Sequence, residues 1–134
     1  MLKVKNKINL ILLLLNIFFL LYFSAQLLIY TDEFALNNIG LFNHAIAGLS
    51  EILGIILFSL SMGLVIILFV GLEKQLPILI TIFLMDSIIA INFWRYVVTN
   101  SPGETNISII TFNASIFSIV SFLMLILIFR KKNL

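Results

Sequence analysis

Seven polar side chains capable of chemistry interrupt segments otherwise built from aliphatic and aromatic residues. In HAIAGLSEILG (44–54), His44 and Glu51 stand two helical turns apart. Asn92 and Arg95 occur in INFWRYVV, Asn113 in TFNAS, Asp86 in LMDSII and Asn16 in LLNIFF. A charged group in such surroundings costs at least about 2.5–3.5 kcal/mol, so it must be neutral, solvated or paired. Arg95 is the one basic residue outside the clusters flanking the apolar segments. Either Arg95 reaches the outer headgroups beside Trp94 and Tyr96, or, as favoured, it turns inward to a polar centre in which it meets Glu51, with Asn92 and Asn113 adding hydrogen bonds and His44 on the Glu51 face nearer the surface. Removing one partner of such a pair would strand the other.

Asp86 lies nine residues before Arg95, on the opposite side of the same helix, and needs a partner of its own. Counted from the helix ends, Asn16 falls at a similar depth, which makes an Asp86–Asn16 contact one option. The other is that the face carrying Asp86, Ala90 and Phe93 meets another subunit. With no cysteine, and a single histidine lacking an acidic residue three or four positions away, no metal site is expected. No cofactor is expected either. Ser108, Thr111, Ser115 and Ser118 form a stripe of small hydroxyl residues that reads as packing surface, since no base stands beside them.

The elements that would position these groups follow from composition. Of the 134 residues, 62% are hydrophobic and 10% charged, and the mean hydropathy is +1.21. That describes an integral membrane protein. Four runs, at about 8–30, 43–70, 76–98 and 107–129, reach the roughly 20 residues a spanning helix needs. Short connections containing Gly71, Pro77, Pro102 and Gly103 separate them, which implies antiparallel neighbours in one membrane domain covering residues 1–134.

Lys3, Lys5, Lys7, Lys74, Arg130, Lys131 and Lys132 fall on one side, and Asp32, Glu33 and Glu104 on the other. By the positive-inside rule both termini are cytoplasmic. The expected fold is all-α, a four-helix antiparallel bundle, in the cytoplasmic (inner) membrane of a bacterium. On the second helix, His44, Ala47, Gly48, Glu51, Gly54, Ile55, Phe58, Ser61 and Met62 should face the bundle, and Leu49, Leu53, Ile56, Leu60, Leu64 and Ile67 the lipid. Small residues allow close helix approach, whereas branched aliphatics suit acyl chains.

Taken in order, YTDEFALNNIG, SEILG and RYVVTNSPGE resemble an uncharacterised family of small four-helix bacterial membrane proteins, loosely similar to DoxX-like proteins. The resemblance covers most of the chain. It implies the four-helix fold and a centre at Glu51 and Arg95, and carries over no activity.

Three functions are compatible with these residues. The favoured one is a small accessory or structural subunit, whose partners are the bilayer and a larger membrane complex or further copies of itself. The alternative is an intramembrane binding or catalytic site for a quinone or lipid-like molecule, with Glu51 as proton acceptor and Arg95 orienting the ligand. The third is a proton-coupled small transporter. Basic residues clustered beside apolar segments mark topology and not phosphate binding, so nucleic acid is no partner.

Overall fold

The computed structural model describes residues 3–101 and 105–132, apart from the side chains of Lys131 and Lys132. Pro102, Gly103 and Glu104, read above as turn and loop residues, lie outside the described residues.

Five helices follow one another: α1 (Lys7–Leu28), α2 (Thr31–Asn38), α3 (His44–Val70), α4 (Leu76–Thr99) and α5 (Ile107–Lys132). The starts of α1, α3 and α5 are set by side chains that satisfy orphan amides. The Asn6 side-chain oxygen accepts from Ile8 N at 3.0 Å, that of Asn43 from Ile46 N at 2.9 Å, and that of Asn106 from Ser108 N at 3.1 Å. Pro77 occupies the first turn of α4, where its missing amide costs nothing. Gly71 stops α3 with φ +97°, a conformation open to glycine but strained for residues with a Cβ. It starts the tight turn into α4.

Four of these helices are long and apolar enough to cross a membrane. The surface agrees, since Ile11, Phe18, Leu49, Ile88, Ile91 and Phe122 are each more than half exposed. An exterior of this kind suits hydrocarbon and not water.

The additional helix is α2. Residues 31–42 read as a plain connection, yet Asp32 and Glu33 sit in the first turn of a helix, where carboxylates favour the positive end of its dipole. Thr31 and Ala35 are buried, and Phe34 meets Phe23 of α1 edge-on at 6.4 Å. The short helix closes one end of the bundle. That end is called the α2 end here, and the opposite end, where both termini and the α3–α4 turn gather, the basic end.

In the bundle α1 packs against α3 and α5, and α5 packs against α4. Between α1 and α3 the backbones approach closely at Gly54, whose carbonyl accepts from Ser24 Oγ at 2.9 Å, while Ser61 Oγ donates to Ile17 O at 3.2 Å. Near the basic end Arg130 Nε donates to Asn9 Oδ1 at 3.0 Å, tying α5 to α1. The fourth side is open. Helices α3 and α4 approach near Gly63 and Ile78, towards their shared turn, and separate towards the α2 end.

Candidate functional site

The structure places Glu51 elsewhere than expected. The buried stripe of α3 is Ser50, Gly54, Leu57, Ser61, Leu64, Ile67 and Leu68, whereas Glu51 is exposed among exposed Ile52, Leu53 and Ile55. Gly54 and Ser61 face the interior as expected, but the stripe passes one residue to the side of Glu51, about 100° around the helix. Leu64 and Ile67, expected on the lipid side, belong to it.

Arg95 is also exposed, with its guanidinium 5.0 Å from the ring of its own neighbour Tyr96. No ion pair joins Glu51 and Arg95. His44, the first residue of α3, is exposed. Asn113 is buried, but its amide donates at 2.6 Å to Asn38 Oδ1 of α2, and so fastens the short helix instead of joining a charge pair. Asn92 faces the opening between α3 and α4. The expected centre is thus dispersed.

Two other features take its place. The first is the opening itself, a groove of about 960 Å³. Leu53, Ile56 and Leu57 of α3 form one wall, Met85, Ile88, Ile89 and Phe93 of α4 the other, and Phe23 of α1 with Phe117 of α5 the floor. The floor is stiffened by ring contacts: Phe117 lies 4.5 Å from Phe23, 4.8 Å from Phe19 and 5.8 Å from Phe93 between centroids. Polar groups collect at the α2 end, where Asn38, Asn92, Tyr96, Thr99, Asn100 and Thr105 line the groove. Thr105 Oγ1 donates to Asn100 Oδ1 at 2.7 Å. Among the described residues no lining side chain carries a charge.

The second feature lies beneath that floor, towards the basic end. Asp86 is fully buried, in a stripe with Leu79, Ile82 and Ala90, and neither carboxyl oxygen has a hydrogen-bond partner among the described residues. Asn16 is equally buried; its amide donates to Leu12 O at 2.8 Å, and its Oδ1 is unpartnered. Of the two options open for Asp86, the hydrogen bond to Asn16 is therefore not made.

Contacts between helices fix the levels of these groups. Ser61 reaches the carbonyl of Ile17, the residue after Asn16. Ser87, the residue after Asp86, meets Ser121 of α5 at 2.6 Å between hydroxyl oxygens. Phe19 of α1 touches Phe117 of α5, and stepping three residues along one and four along the other brings Asn16 and Ser121 within about 2 Å in height. Asn16, Ser61, Asp86 and Ser121 thus occupy one level, one from each long helix. The sequence contains the signal in part, because Asp86 continues the spacing Leu79, Ile82, Asp86, Ala90. Ser61 and Ser121, by contrast, are ordinary helix serines until the registers of the helices are known.

Among the described residues no group of three or more His, Cys, Asp or Glu could hold a metal ion. Comparison with models of known families, with curated proteins and with solved structures gives no match for this chain.

Proposed function

We propose that this chain is a multi-pass integral membrane protein, its basic end cytoplasmic in a bacterial inner membrane, that takes a lipid-like molecule with a neutral polar head into the α3–α4 groove. The groove carries the reading. Its volume of about 960 Å³ is at the upper end of the roughly 300–1,000 Å³ usual for small-molecule sites. Its apolar walls open sideways between two spanning helices, so an apolar tail enters from the bilayer without crossing water. The uncharged polar cluster at the α2 end suits carbonyl or hydroxyl groups, as in a quinone or a neutral glyceride, better than a phosphate, which would call for a basic residue.

Filling the groove tests this. Ile89→Trp adds bulk to the wall without touching the α1–α3 contact. Protein purified gently from native membranes should carry at least tenfold less neutral lipid or quinone in the variant, by mass spectrometry of the extracted ligand, at unchanged thermal stability. Equal retention by both proteins overturns the reading.

Glu51 favours a second reading, that of a subunit in a larger membrane assembly. An exposed carboxylate among exposed isoleucines costs at least about 2.5 kcal/mol facing acyl chains at depth, and a partner chain offering a donor removes that cost. Glu51→Leu should then leave stability of the isolated chain within about 0.5 kcal/mol, as at other surface positions. Meanwhile wild type should run within a large species on size exclusion of native extracts, and the variant should not. A wild-type protein that migrates alone in native extracts eliminates this second role.

A further inference from the structure

We propose that Asp86, Asn16, Ser61 and Ser121 bind one monovalent cation, a proton or a sodium ion, midway along the bundle. The inference is independent of what occupies the groove. It rests on a mismatch between acceptors and donors at one level of the core.

Three oxygens there, both of Asp86 and Oδ1 of Asn16, are acceptors without partners. The nearby donor groups bond elsewhere, and the one proton left over at this level, the second N–H of the Asn16 amide, reaches neither Asp86 oxygen. The Asn16 amide serves Leu12 O and the Ser61 hydroxyl serves Ile17 O. Ser87 donates to Phe83 O, which leaves Ser121 as the donor in the Ser87–Ser121 pair. The oxygen lone pairs of Ser61 and Ser121 stay free as neutral ligands. A buried carboxylate and an amide oxygen that no donor reaches call for a cation, and hard monovalent or divalent ions take such oxygen ligands.

Charge selects the valence. The buried polar residues of α1, α3 and α5 facing this level are Asn16, Ser61 and Ser121, none of them titratable, and no basic side chain is buried among the described residues. Arg130 is engaged with Asn9, two turns nearer the basic end. One carboxylate therefore stands against nothing. A single positive charge neutralises it, whereas a divalent ion would leave a surplus that a low-dielectric core does not tolerate. The site is also sealed: Phe23 and Phe117 cover it on the α2 side, and fully buried Leu13, Leu64, Leu79 and Met124 on the other.

The test compares the full-length wild type in detergent with Asp86→Asn, which keeps shape and removes the charge. Thermal unfolding is followed while sodium replaces choline at constant ionic strength and pH, and separately while pH varies at fixed salt. Because a ligand bound only by the folded state stabilises it by mass action, the wild-type midpoint should shift by several degrees in one series, and that of Asp86→Asn should not. Response in the sodium series identifies sodium, and response in the pH series alone identifies a proton. A second measurement uses only wild type: labelling of Asp86 by dicyclohexylcarbodiimide, read by mass spectrometry, should slow tenfold for each tenfold loss of proton activity or gain of sodium. Identical responses of the two proteins in both series, with labelling indifferent to pH and sodium, overturn the proposal.

Discussion

Phe117→Ala is expected to lower the unfolding free energy by about 3 kcal/mol, the lower end of the range for truncating a buried phenylalanine. The ring is 2% exposed and meets Phe19, Phe23 and Phe93, so it connects α5 to both α1 and α4. Helices α1 and α4 have no extensive contact of their own, which leaves α5 as the bridge between them. In hydrocarbon the transfer of the side chain out of water contributes little, because lipid is as apolar as the core. What remains is the cavity and the lost dispersion contacts, hence the lower end. Reversible unfolding in mixed micelles with increasing anionic detergent measures the change. Phe122→Ala, at a ring 61% exposed, should stay within about 0.5 kcal/mol. Equal effects at the two positions would mean that the aromatic floor does not hold the helices together.

The four long helices were legible because length and hydropathy are properties of a segment and need no knowledge of its neighbours. Their faces were not. In water a helix advertises its buried side by its apolar stripe, but these helices are apolar all round, so periodicity carries almost no orientation. Small residues were the remaining guide, and they located Gly54 and Ser61 correctly. They could not separate Ser50 from Glu51, adjacent in sequence and 100° apart on the helix, and the error moved the proposed centre to the outer surface. Ring packing and serine hydroxyls set the register between helices, and with it the level shared by Asn16, Ser61, Asp86 and Ser121. No single segment contains that information.

Asp86 was recognisable as a problem, since a carboxyl in the middle of a long apolar run always needs an explanation. Its solution was not recognisable. The choice between Asn16 and an external partner turned on burial, and Asp86 proves to be inside the chain's own core with neither oxygen satisfied by it. For α2 the difficulty was different: eight residues with four amide or acidic groups in TDEFALNN have little intrinsic helicity. Phe34 on Phe23 and the Asn38–Asn113 hydrogen bond supply what local propensity does not.

The largest loss of stability should come from Gly54→Leu, which is expected to abolish recovery of folded, monodisperse protein. Two opposing effects meet at this glycine. Replacing it by alanine gains about 1 kcal/mol of helix propensity. Against that, a Cβ at Gly54 would lie 2.7 Å from Leu28 Cγ and 3.1 Å from Leu27 Cβ. Leu28 is partly exposed and can swing aside, but Leu27 is buried and its Cβ moves only with the backbone, so α1 must retreat. Overpacking of this kind costs about 1–3 kcal/mol, enough to make Gly54→Ala neutral to destabilising. Leucine adds three further carbons in the same direction. The retreat then breaks the Ser24–Gly54 hydrogen bond at 2.9 Å and draws apart the helix pair that forms one side of the bundle. Gly48 supplies the control, since a Cβ there meets nothing within 4 Å. Gly48→Leu should fold with a yield and unfolding midpoint equal to or above wild type. If both leucine variants fold equally well, α1 and α3 are not held at the separation that gives Gly54 its role.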